Sequence, residues 1–165
     1  MDPTSPEAQA ELARRHKAAA TTVLGLLVAT ILLSVLAFLA RPYLTERPNP
    51  LLYFAVRLII LAFGLGAIMW RRTRFQPMRL QDIVGVAGVT GLLKTLEKTT
   101  LQIALFGAVT AATGFIATLV TGDEGYSYLA GAVAVIIFIY CYPTKSSWLR
   151  ALYRFTEKQP QMNAD

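Results

Sequence analysis

Ionisable chemistry is scarce in this chain. Its 165 residues hold one cysteine and one histidine, and only 16% are Asp, Glu, Lys or Arg. Cys141 alone excludes an internal disulfide and a thiolate-rich metal cluster. His16 alone leaves histidine-based zinc sites and Ser-His-Asp triads without their parts. Roughly a quarter of a soluble domain is charged. Here 55% of residues are hydrophobic and the mean hydropathy is +0.47, so lipid is the expected solvent for much of the surface. The net charge of +6 does not point to nucleic acid, because the cations flank apolar runs and no recognition motif accompanies them. Anionic lipid headgroups are the simpler partner.

Apolar runs occupy residues 18–40, 51–70, 99–120 and 126–142. About twenty helical residues cross a hydrocarbon core of about 30 Å, so each run is a candidate membrane span. The first is too long for the core of a signal peptide, and Phe38-Leu39-Ala40 is a poor cleavage site; it reads as a retained anchor.

The punctuation between runs is legible. Ser5, Pro6 and Glu7 form an N-cap, a first-turn proline and a dipole-compatible acid, and the first helix should end at Arg41 before Pro42. Asn49-Pro50 opens the second helix, and Pro77 closes it. No proline interrupts residues 78–120, so one bent or broken helix is expected there, stopped by Thr121-Gly122-Asp123. A tight turn then leads into the fourth run, which Pro143 ends. Ser146 or Ser147 would cap a last helix with Trp148, Leu152 and Phe155 on one face and Arg150, Arg154 and Lys158 on the other. That pattern predicts a helix lying on a membrane surface, its cations on lipid headgroups.

The expected fold is therefore all-α: an integral membrane four-helix bundle of two antiparallel transmembrane hairpins with amphipathic cytoplasmic or interfacial helices. Its segments are an N-terminal extension (1–17), hairpin one (18–70), a basic amphipathic segment (71–98), hairpin two (99–142) and a basic interfacial helix with its tail (143–165). Three Lys or Arg precede the first run, six follow the second and four follow the last, against two between the first and second runs and none between the third and fourth. The positive-inside rule then puts both termini in the cytoplasm of a bacterial inner membrane. Aromatics agree, with Tyr43, Tyr53, Tyr126 and Tyr128 at the outer interface and Trp70, Phe75, Tyr140, Tyr142 and Trp148 at the inner one.

Few side chains are candidates for function. Arg57 is the sole Asp, Glu, His, Lys or Arg within a run. It lies about 9 Å from the run's outer end, where it can snorkel, pair with Glu46, Asp123 or Glu124, bind anions or contact another protomer. Gly107, Ala111, Gly114 and Thr118 form a small-residue stripe for helix packing, within the second hairpin against Ala130 with Ala134 or Gly131 with Val135, or between copies. Gly85, Gly88 and Gly91 each cost a helix about 1 kcal/mol relative to alanine, which close approach of a partner helix would offset. Lys94 and Glu97 are spaced to pair. Cys141 packs near the inner interface, where a thiol can also be acylated.

Thr21-Thr22 aligns with Thr99-Thr100, and both halves are hairpins followed by basic residues, the outline of a duplication. Gly114, Thr121-Gly122-Asp123 and Pro143 before Trp148 give the second half a resemblance to a group of small uncharacterised bacterial four-helix membrane proteins. Their paired hairpins are similar in outline to the proteolipid c subunit of rotary ATPases. The proteolipid's ion-carrying carboxylate and glycine-rich first helix have no counterpart here, so ion translocation is not implied. The expected function is a non-enzymatic integral membrane subunit, scaffold or assembly factor, homo- or hetero-oligomeric and without cofactor. The alternative is a small oligomeric anion channel or transporter using Arg57.

Overall fold

A computed structural model describes residues 5–45 and 50–156. Among the described residues the regular structure is entirely helical: α1 (Pro6–Ala40), α2 (Pro50–Arg74), α3 (Pro77–Thr121), α4 (Gly125–Cys141) and α5 (Lys145–Thr156). Three helices are long and apolar enough to cross a membrane: α1 with the 3-10 turn that prolongs it to Tyr43, α2, and α3 from Leu80. The fourth qualifies only when α4 is joined to α5 across a bend of 44°. Alone, the 17 residues of α4 make the shortest of the candidate crossings, about 26 Å at about 1.5 Å per residue.

Local chemistry explains most boundaries. The Ser5 hydroxyl accepts the Ala8 amide at 3.2 Å, with Pro6 and Glu7 in the first turn of α1. Pro42 does not end the chain's helical course, because a 3-10 turn over Arg41–Tyr43 carries it. Pro77 opens α3 with Gln76 at its N-cap, since proline's missing amide is no loss in a first turn. α5 begins at Lys145, so Thr144 stands at its head in place of Ser146 or Ser147, its hydroxyl 2.6 Å from that of Ser147. Asn49 lies outside the described residues.

The long helix expected after residue 77 is present and is broken at Gly88, where φ is 63° and ψ is −165°. That conformation is essentially restricted to glycine. The helix ends at Gly122 in the left-handed region, φ 77°, whose amide donates to the Thr118 carbonyl at 2.8 Å. Asp123 then turns the chain by accepting the Gly125 amide at 2.8 Å. Glu124, at the N-cap of α4, offers no side-chain cap. Thr118 of α3 supplies one: its hydroxyl accepts the Ser127 amide at 3.1 Å.

Three apolar clusters follow one another along the fold. One end joins Val56 and Ile60 of α2 to Ala117, Tyr126 and Ala130. The middle joins Val23, Ala67, Ile103, Ala104, Ala111, Ala134, Ile137 and Phe138. The opposite, basal end gathers Ala8, Leu12 and Ala19 of α1, Leu80, Val84, Val89, Leu92, Leu93 and Leu96 from both sides of the Gly88 break, and Trp148 and Leu152 of α5.

The basal cluster corrects one expectation. The apolar face of α5 is not free to lie on a membrane: Trp148 is 4% exposed and Leu152 0%, both covered by α1 and α3. Tyr126, expected at the outer interface, is also 4% exposed and packs inside the fold. The outward faces of α1 and α2 are different. Only 17% of the apolar window of each is buried, against 44% for α3, and Leu32, Leu36, Leu39, Leu58 and Leu65 are exposed.

Candidate functional site

Arg57 sits on the exposed surface of α2, its guanidinium 3.7 Å above the ring of Tyr53 one turn earlier. Tyr53 meets Tyr126 edge to face at 5.9 Å, so the cation is joined to the end cluster through two rings. A cation over an exposed ring gains about 0.5–1 kcal/mol, and more when desolvated. Arg57 forms no ion pair with Asp123 or Glu124; Glu124 pairs with Arg41 at 3.2 Å. Glu46 lies outside the described residues.

The small-residue stripe lies along the α3–α4 seam. A Cβ on Gly107 would sit 3.1 Å from the Phe138 ring, and one on Gly114 would run into the Ala130 methyl and approach the Tyr126 carbonyl oxygen to 2.7 Å. Ala111 is buried and Thr118 holds the Ser127 amide. Gly107 meets Phe138, Gly114 meets Ala130 and Thr118 meets Ser127, so the two helices run in opposite directions. Ala130 and Ala134 belong to this seam. Gly131 does not: it faces α1, where an added Cβ would lie 2.8 Å from the Ser34 hydroxyl.

The three glycines of α3 have separate environments. Gly88 carries the backbone break. Gly91 is crowded by Ala87, with Ile83 at 3.8 Å, both from the arm of α3 before the Gly88 break, and a Cβ on Gly85 would meet nothing within 4 Å. The close approach expected at these glycines is made at Gly91, by the segment of α3 that precedes the Gly88 break, and not at Gly85. Arg150 and Arg154 are exposed on α5, the Arg150 guanidinium donating to the Ser146 carbonyl at 3.4 Å. Lys158 lies outside the described residues.

Sequence reasoning missed how the basal end is joined. Arg15 of α1 donates to Glu11 at 2.6 Å and, across to α3, to Glu97 at 2.6 Å, while Arg14 also pairs with Glu11 at 2.9 Å. The Glu97 carboxylate keeps the Arg15 guanidinium protonated further above its ordinary range, with Glu11 adding to it. Hydrogen bonds from Arg14 and Arg15 hold the Glu11 carboxyl below the usual carboxylate range. Glu97 is therefore committed to Arg15, in place of the Lys94 pairing its spacing offered. His16 Nε2 lies 2.9 Å from the Pro143 carbonyl oxygen, and its ring meets Trp148 edge to face at 5.7 Å. A carbonyl only accepts, so Nε2 carries the hydrogen.

Beside this junction a cavity of about 310 Å³ opens among Arg71, Phe75, Thr100, Cys141, Ser147 and Trp148. Arg71 lies 4.2 Å from the Tyr140 ring, and Cys141 is buried with its thiol directed at the Phe138 carbonyl, 3.5 Å away. The cavity is large enough for a small molecule. Among the described residues its one charged lining group, Arg71, lies against the rings of Tyr140 and Phe75.

The fold and its site together define a helical chain with three to four apolar helices of membrane-crossing length, tied at one end into a packed cluster. Neither a protein-family model, a curated protein nor a solved structure matches the chain.

Proposed function

We propose that the chain is a non-enzymatic, multi-pass integral membrane protein of a bacterial inner membrane, acting as a subunit, scaffold or assembly factor of a membrane complex. In this reading α1 with α2 and α3 with α4 are two antiparallel transmembrane hairpins. Both termini and the basal cluster lie in the cytoplasm. The observation that carries it is the contrast between two kinds of surface: the apolar flanks of α1 and α2 are uncovered, whereas the basal ends of α1, α3 and α5 bury their apolar faces against one another. Water solvates neither flank cheaply, at about 25 cal/mol for each Å² of apolar surface. Lipid covers them, and a second protein does so where a complex forms.

The test is photocrosslinking in native membranes from probes at the exposed Leu58 and Leu65 of α2. A discrete adduct with one partner, which also copurifies in fixed stoichiometry, supports the scaffold reading. Recovery of the uncrosslinked chain alone contradicts it. The anion-conduit alternative requires Arg57 of several copies to converge on a pore. Its guanidinium is instead stacked on Tyr53 of its own chain, which supports the scaffold reading over that one. Anion flux in liposomes that is present in the wild type and lost in both Arg57→Ala and Arg57→Lys would reverse this preference.

A further inference from the structure

A second cleft, of about 370 Å³, lies between the end of α2 and the middle of α3, lined by Arg74, Lys94, Thr95, Lys98, Thr99 and Gln102. Among the described residues three cations and no carboxylate line it. Lys94 and Lys98 stand one helical turn apart on the same face, an arrangement of like charges that disfavours the helix unless something neutralises it. The acid spaced to do so, Glu97, is turned away to Arg15 at 2.6 Å. Thr95 is also committed, its hydroxyl donating to the Gly91 carbonyl at 2.9 Å. Thr99 and Gln102 leave a hydroxyl and a carboxamide among the cations as neutral donors.

A site with cations on two helices, neutral donors between them and room for several heavy atoms suits an anion with more than one oxygen. Its depth identifies the source, given the membrane reading proposed above. Arg74 lies one turn beyond Trp70 and reaches back over its ring, 4.8 Å from the centroid, and tryptophan rings settle at the headgroup level. Lys98 immediately precedes the apolar run that starts at Thr99. The cleft therefore opens on the inner leaflet at the level of the lipid phosphates, where basic pockets between helices take anionic headgroups.

We infer that the Arg74–Lys94–Lys98 cleft binds the phosphodiester headgroup of one anionic phospholipid, as a site separate from the diffuse basic surface of α5. The test is native mass spectrometry of the full chain released from micelles containing phosphatidylglycerol or cardiolipin, with phosphatidylcholine as control. The wild type should retain one anionic lipid and no phosphatidylcholine. Lys94→Gln with Lys98→Gln should weaken retention at least about tenfold, the factor expected when two cations leave an anionic surface. Lys94→Arg with Lys98→Arg should restore it, and Arg150→Gln with Arg154→Gln should leave it intact.

Equal retention by the Gln variant, or loss only in the α5 variant, overturns the site. So does a wild type that retains no lipid yet is stabilised by inorganic phosphate or glycerol 3-phosphate, which would make it a soluble-phosphate site. Extraction of the chain from membranes without detergent would instead defeat the membrane reading itself, a result separable from any of these.

Discussion

Gly88 shows what a single residue decides in this molecule. With φ at 63° and ψ at −165° it breaks α3 so that Leu80 and Val84 reach the same cluster as Val89 and Leu96. An L side chain there is strained by about 1–3 kcal/mol. Gly88→Ala should lower the thermal stability of the purified protein accordingly and open residues 77–88 to protease, while Gly25→Ala, at a position with nothing within 4 Å, should be neutral or stabilising. The break was legible in outline, as a long proline-free helix studded with glycines. Which glycine breaks it was not, because only the backbone angles separate Gly88 from Gly85. Arg15 was less legible still. Its bond to Glu11 follows from an i,i+4 spacing, whereas Glu97 lies 82 positions away and was within reach of a nearer lysine.

The same cluster of charges has a pH signature. Glu11 has its pKa lowered in the folded chain, so its contribution is fully present above the ordinary glutamate range and fades as pH falls through the lowered value. Melting temperature measured against pH should therefore fall on the acid side in the wild type and fall less in Glu11→Gln.

At the scale of elements, α4 depends on its neighbours for what it lacks. Its own N-cap gives no side-chain bond, and Thr118 of α3 provides one. Thr118→Val should cost about 0.5–2 kcal/mol, the range for a lost cap. Gly114→Val should cost about 1–3 kcal/mol by overpacking, since the Ala130 methyl and the Tyr126 carbonyl occupy the space. Both are measured by denaturation in detergent. For α5, its amphipathic character was plain in the sequence, but periodicity tells that a face is apolar and not whether lipid or protein covers it. Trp148 and Leu152 meet α1 and α3, and Leu152→Ala should cost about 2–5 kcal/mol and release α5 to proteolysis. A helix held only on a lipid surface would show no such loss in detergent.

Over the whole molecule, three segments that composition keeps apart, 1–17, 71–98 and 143–165, contribute to one basal cluster. The long helices and their ends were readable because capping residues and hydrophobic runs are local signals. Their mutual packing was not, because it rests on contacts such as His16 with Pro143. The paired threonines that outline a duplication have unlike surroundings: Thr21 and Thr22 are exposed, Thr99 and Thr100 buried. Equal spacing along the chain therefore does not translate into equivalent places in the fold.

Everything proposed for the protein depends on the basal cluster facing the cytoplasm while the Gly122–Gly125 turn faces outward. A Cys141→Ser background carrying either Asp123→Cys or the exposed Ser146→Cys tests this directly, with a membrane-impermeant maleimide applied to intact cells. Labelling at position 123 in intact cells, and at position 146 only after permeabilisation, is the result expected. Labelling of position 146 in intact cells, or equal labelling at both positions, would contradict the topology and the functions built on it.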